Sequence, residues 1–141
     1  MSPSMRPMLV IGAIFLVVAI MAGISEWRTA HAKEIIPWRP TLAAAQSEAG
    51  PAHRKVLAYF TATWCPPCQK MKTTTWADST VAHAMEQYVP AKIDIDADKE
   101  AARRYHIEAV PTYIVLSDQG EVQKRISGLM SPEEMRTWLE Q

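Results

Sequence analysis

The pentapeptide Trp64-Cys65-Pro66-Pro67-Cys68 constrains this chain more than any other feature, because its only two cysteines stand two residues apart between an apolar run and a helical pattern. Lys55, Val56, Leu57, Ala58, Tyr59 and Phe60 read as a buried β-strand, whereas Gln69, Lys70, Met71 and Lys72 open a run of good helix formers. Pro66 then falls in the first helical turn, where its missing N–H costs nothing and its fixed φ is already helical. The chain must pass from strand to helix at the cysteines. In thiol chemistry the thiolate is the attacking species, and the orphan amides of a helix N-terminus favour it. Cys65 is therefore expected to be an exposed nucleophile, and Cys68, one turn inside, the thiol that resolves mixed disulfides.

Other uses of a cysteine pair fit less well. A structural zinc site usually takes four Cys or His ligands, and His53, His83 and His106 are scattered singly. A purely structural disulfide gains little here, since the entropy removed from the unfolded chain grows with loop length and this loop is minimal. The expectation is a dithiol that cycles with its disulfide, with no metal and no cofactor besides.

In 141 residues, 15 basic side chains balance 15 acidic ones. That leaves room for one domain and gives no electrostatic case for a nucleic-acid partner. Met8 to Ile24 is uninterrupted by charge and preceded by Arg6, which reads as the apolar region of a signal peptide or as a single membrane anchor. Ala30-His31-Ala32 has the small-x-small form of a cleavage site. Residues 1–32 are accordingly read as signal peptide or N-terminal anchor, 33–40 as a linker and 41–141 as the folded domain. Either reading of residues 1–32 exports the thiols to the periplasm or cell envelope, where disulfides form and persist.

Along the domain, Thr41 to Ala49 spaces Leu42, Ala45 and Ala49 on one helical face, and Gly50-Pro51 ends it. After the cysteines a helix is expected to about Trp76, then a second piece capped by Asp78 with Val81, Met85 and Tyr88 at core spacing. Ala91 to Ile95 alternates as a strand, Asp98 to Tyr105 reads as a short helix, and Thr112 to Leu116 is a β-rich run. Ser117-Asp118-Gln119-Gly120 is turn chemistry that leads into Glu121 to Ser127, making a hairpin. Ser131-Pro132-Glu133-Glu134 is a capping box for a last helix that buries Met135, Trp138 and Leu139. The linker, with Ile35, Ile36 and Trp38, is placed at most at a sheet edge by its prolines. This order specifies an α/β domain, a mixed central sheet with helices on both faces, preceded by an N-terminal apolar helix.

Phe60 to Cys68, Lys92-Ile93-Asp94-Ile95-Asp96, Val110-Pro111-Thr112 and Gly128 together resemble the thioredoxin superfamily over about Trp38 to Gln141. The Ala-rich helix ahead of the first strand, Trp38 of the linker and the Lys72 to Ser79 stretch after the motif resemble the exported thioredoxin-like domains of thiol-disulfide interchange proteins. The resemblance implies a three-layer thioredoxin-like fold and a protein-disulfide reductase acting on protein thiols and disulfides. It also implies a separate membrane electron-relay partner. Oxidase or isomerase activity, or peptide binding without redox turnover, stand as alternatives. By the same resemblance Pro111 is cis and packs on the redox pair. Trp64, Pro66, Pro67, Val110 and Pro111 then form the substrate platform, the Val110 backbone pairing with an extended segment. Cytoplasmic thioredoxins carry a buried aspartate six residues before the first cysteine, and here that place is Tyr59. Tyrosine, with a reference pKa of about 10, is a poor base at neutral pH. Lys92 matches the family's lysine near that site and is expected to favour the thiolate.

Overall fold

The computed structural model describes the backbone of residues 5–31 and 33–141, with the side chains of 10–24 and 33–141. It divides into two compact units, Met1–Ala32 and Lys33–Gln141. The first is a single helix, α1 (Met5–His31), whose side chains from Val10 to Ile24 are exposed. Among the described residues no helix is long and apolar enough to cross a membrane. The expected anchor and cleavage site lie partly outside the described residues.

The second unit contains α2 (Leu42–Ala49), β1 (Lys55–Thr61), α3 (Pro66–Thr73), a 3-10 turn (Thr75–Ala77), α4 (Ser79–Met85), β2 (Tyr88–Asp94), α5 (Lys99–Arg104), β3 (Thr112–Leu116), β4 (Val122–Ser127) and α6 (Pro132–Glu140). The sheet order is β2-β1-β3-β4. β1 pairs in parallel with β2 and antiparallel with β3, and β3 pairs antiparallel with β4. β1 is buried along its length apart from Lys55 because it is central and covered on both faces. Leu57 and Tyr59 join Tyr113 and Val115 under Met71, Trp76, Val81, Met85, Met135 and Leu139 of α3, α4, α6 and the 3-10 turn. Val56, Ala58 and Phe60 join Val89, Ala91 and Ile114 against Leu42, Ala45, Ala101 and Tyr105 on the other side. The period of two in β1 thus feeds two separate cores.

Three local readings need correction. The helix after the cysteines stops at Thr73, not Trp76. Thr74 leaves helical geometry at φ −117°, ψ −87°, and the hydroxyls of Thr73 and Thr74 bond the Lys70 carbonyl at 3.2 and 3.0 Å. Consecutive β-branched residues that bond the preceding turn weaken a helix end. Thr75 is buried and donates to the Met130 carbonyl at 2.6 Å, tying this break to the loop before α6. Tyr88 starts β2 and does not belong to α4: Pro90 biases the adjacent Val89 towards extended backbone, and Tyr88 pairs with Lys55 of β1. Its hydroxyl donates to the Leu139 carbonyl at 2.7 Å. β2 therefore begins earlier than expected and runs through Pro90, whose carbonyl accepts from Arg39 N–H at 2.8 Å. Pro90 is tolerated because the side that lacks a donor faces away from β1.

The predicted caps are present. Asp78 Oδ1 accepts from the N–H groups of Thr80 (2.8 Å) and Val81 (3.2 Å) and from the Thr80 hydroxyl (2.5 Å). Ser131 and Glu134 close the reciprocal capping box of α6. The Thr80 hydroxyl bond is the main reason the Asp78 carboxyl lies below its ordinary pKa. A carboxyl depressed in the folded state contributes stability above its unfolded pKa, and that stability is lost as pH falls through the folded value. Asp78→Ala is expected to cost about 1 kcal/mol at pH 7 in urea unfolding, with the gap to wild type closing below about pH 4.

Candidate active site

The strand-to-helix turn is set by local bonding. Cys65 N–H donates to the Ala62 carbonyl (3.3 Å), Gln69 N–H to the Cys65 carbonyl (3.1 Å), and the Gln69 side chain to the Thr63 carbonyl (2.9 Å). Cys65 is the N-cap of α3, extended at φ −89°, ψ 107°, and it is bonded to Cys68 as a disulfide with Cα atoms 5.3 Å apart. Pro66 and Pro67 occupy the first helical turn. With two prolines there, Cys68 N–H is the first helical amide available, and it donates to Cys65 Sγ at 3.3 Å. The helix terminus therefore supplies one donor to this sulfur where a proline-free turn would offer more.

Cys65 is not the exposed residue that its position suggests. In the oxidised pair it is 2% exposed and Cys68 is fully buried. Both pack with Ala62, and Ile95 and Val110 close the cluster. Bonding to Cys68 draws the Cys65 sulfur under this apolar cover.

The Val110–Pro111 peptide bond is cis. The Val110 carbonyl oxygen lies 3.6 Å from Cys65 Sγ, and among the described residues no group accepts from the Val110 N–H. The loop is pinned from both sides. Thr112 Oγ1 bonds the Ala109 carbonyl and Ser127 Oγ at 2.7 and 2.6 Å, and Gly128 N–H donates to the Pro111 carbonyl at 2.8 Å. Gly128 sits at φ +109°, a conformation that favours glycine. Trp64 is 63% exposed, and its indole N–H donates to Asp96 Oδ2 at 2.7 Å, which ties this side chain to the loop after β2. Trp64, Pro66, Pro67, Val110 and Pro111 thus stand around the disulfide, Pro111 buried and Pro66 exposed.

The residues expected to tune the thiols are arranged differently. Tyr59 and Lys92 are register partners on β1 and β2. Burial raises the pKa of the Tyr59 phenol, and among the described residues its hydroxyl has no hydrogen-bond partner, which favours the neutral form. Lys92 does not stand free for the thiolate, because its ammonium is held by Glu34 at 2.9 and 2.7 Å. Glu34 Oε1 also accepts from Trp38 Nε1 at 2.6 Å. The ring of Trp38 lies 5.5 Å from Tyr59 and 5.0 Å from Trp76, so residues 34–39 are part of the domain's packing. Glu34, Gln69 and Asp96 were not singled out from sequence. Gln69 and Asp96 lay beside recognised motifs, while Glu34 offered only a carboxylate in a segment without periodicity.

A match to a family described as a thioredoxin-like domain extends over residues 42–141. The chain is 38% identical over 77 residues to a thioredoxin of Mycobacterium tuberculosis, covering 55% of this chain and 64% of that protein. It is 26% identical over 112 residues to the sporulation thiol-disulfide oxidoreductase A of Bacillus subtilis, covering 62% of this chain and 68% of that one. A solution structure of a thioredoxin from Thermus thermophilus superposes with a TM-score of 0.67 at 29% identity, covering 74% of this chain and 85% of that chain. The chain thus spans less than two thirds of the mycobacterial relative. With the fold, the Cys65–Cys68 disulfide and the match over residues 42–141 all in agreement, this chain belongs to the thioredoxin-like family.

Proposed function

We propose that this protein is a thiol-disulfide oxidoreductase that works outside the cytoplasm on protein disulfides, in the reducing direction, through Cys65 and Cys68. The observation that carries the reading is a disulfide at a helix N-terminus beside a backbone position, Val110, with an unpaired N–H. In the reducing direction Cys65 thiolate attacks one sulfur of a substrate disulfide. A Cys65–substrate disulfide forms while the electron pair of the broken bond leaves on the second substrate sulfur. Cys68 thiolate then attacks Cys65 Sγ, closing the Cys65–Cys68 bond and releasing the other substrate sulfur as a thiolate. Both substrate thiolates take protons from the medium. Two electrons pass from the dithiol to the substrate, and a separate membrane relay partner returns them.

An extended substrate segment suits the Val110 backbone, in the manner of strand addition, with Trp64 and Pro111 as apolar walls. The single amide at Cys65 Sγ argues for the reducing direction, since few donors mean modest thiolate stabilisation. The B. subtilis relative's name as a thiol-disulfide oxidoreductase supports the same class. The charge-free stretch from Met8 to Ile24 behind Arg6 supports export.

In a glutathione or dithiothreitol redox buffer the pair is expected to equilibrate near −270 mV, whereas a value near −120 mV would reverse the direction. Cys65→Ser is expected to abolish disulfide exchange, and Cys68→Ser to accumulate mixed disulfides visible on non-reducing gels. Persistence of exchange in Cys65→Ser would overturn the assignment. In intact cells a membrane-impermeant maleimide is expected to label the reduced thiols, and protection until lysis would refute export.

A further inference from the structure

Beside the motif lies a cleft of about 420 Å3, lined in part by Thr61, Ala62, Thr63, Lys72, Lys92 and Asp94. Ala62 packs on both cysteines, so this cleft lies one residue from the sulfurs. Its charges come from three elements. β2 contributes Lys92 and Asp94, α3 contributes Lys72, and the segment ahead of α2 contributes Arg39 and, through Lys92, Glu34. Arg39 is neutralised by Glu48 at 2.6 and 2.7 Å. The Asp94 carboxylate accepts from the Asp96 and Ala97 N–H groups and opposes Lys72 in sign. Tyr59, the register partner of Lys92 on β1, carries a phenol whose pKa is raised by burial. That leaves the Lys92–Glu34 pair, whose side chains are only 23% and 21% exposed. Glu34 is fixed in place by Trp38 Nε1 and by the Ile35 N–H bond to the Trp76 carbonyl at 2.8 Å.

We propose that Glu34 is a positioning residue for the redox pair, which by holding the Lys92 ammonium in a neutral ion pair sets how much positive charge Cys65 and Cys68 experience. The inference rests on the dithiol reading above. An unpaired ammonium on the cleft that Ala62 shares with the cysteines favours the thiolate, and a stabilised reduced form makes a disulfide more oxidising. Glu34 thus biases the pair towards reduction of its substrates, and it does so from a segment outside the matched residues 42–141.

The test compares the full chain with Glu34→Gln, Lys92→Gln and the double variant, following ultraviolet thiolate absorbance against pH and the reduction potential. Glu34→Gln is expected to raise the thiolate fraction below the midpoint at least about twofold, as one unpaired positive charge would, and to shift the potential upward. Lys92→Gln is expected to move both the opposite way, and the double variant to return near wild type. Glu34→Asp, which keeps the charge, is expected to stay close to wild type. An unchanged midpoint in Glu34→Gln would overturn the proposal, as would a double variant that keeps the single variant's shift. Should Glu34→Gln not fold, an unchanged midpoint in Lys92→Gln overturns it equally. If the wild-type pair does not cycle at all, the proposed function itself fails; cycling with unmoved variants refutes only the role of Glu34.

Discussion

Strand β1 is packed on both faces and hydrogen-bonded on both edges, and the rest of the domain is arranged around it. A strand held on four sides has little freedom at its end. The chain leaves β1 at Thr61 and reaches Cys65 within one turn closed by Ala62, Thr63 and Gln69. The sulfurs therefore inherit their position from the core. The facing loop is placed in the same way, because Thr112 and Gly128 anchor it to β3 and to the end of β4.

That placement gives the cysteines a restrained electrostatic setting. Two prolines in the first turn of α3 leave Cys68 N–H as the donor to Cys65 Sγ. Tyr59 on β1 is a buried phenol whose pKa is raised by burial, and the ammonium of its register partner Lys92 is paired with Glu34. The prolines reduce the stabilisation available to a thiolate, and on the reading proposed above the pairing of Lys92 with Glu34 acts in the same direction from a different element.

Much of the fold was legible where the signal is local. β1 announced itself as an apolar run, Asp78 and Ser131 as caps, and Ser117-Asp118-Gln119-Gly120 as a hairpin turn, because each depends on residues a few positions apart. The motif and the Val110–Pro111 loop were legible through their joint spacing. Tertiary competition was not. The threonines from Thr73 to Thr75 end α3 partly because one of them has a distant carbonyl to reach, and the pairing of Lys92 with Glu34 spans 58 positions. Exposure of Cys65 was misread for the same reason, since its cover comes from Val110 across the fold.

The docked stretch before α2 also bears on what counts as the unit of this protein. Ile36 is buried in the core, Arg39 bridges to Ala91 beside β2, and the compact body opens at Lys33, whereas the family model matches from residue 42. The body that folds is longer than the stretch that the family model matches. A graft or truncation drawn at the boundary of likeness would strip an outer rung from β2 and uncover the indole of Trp76. Modularity in this chain is therefore a matter of packing, and its seam lies upstream of residue 42.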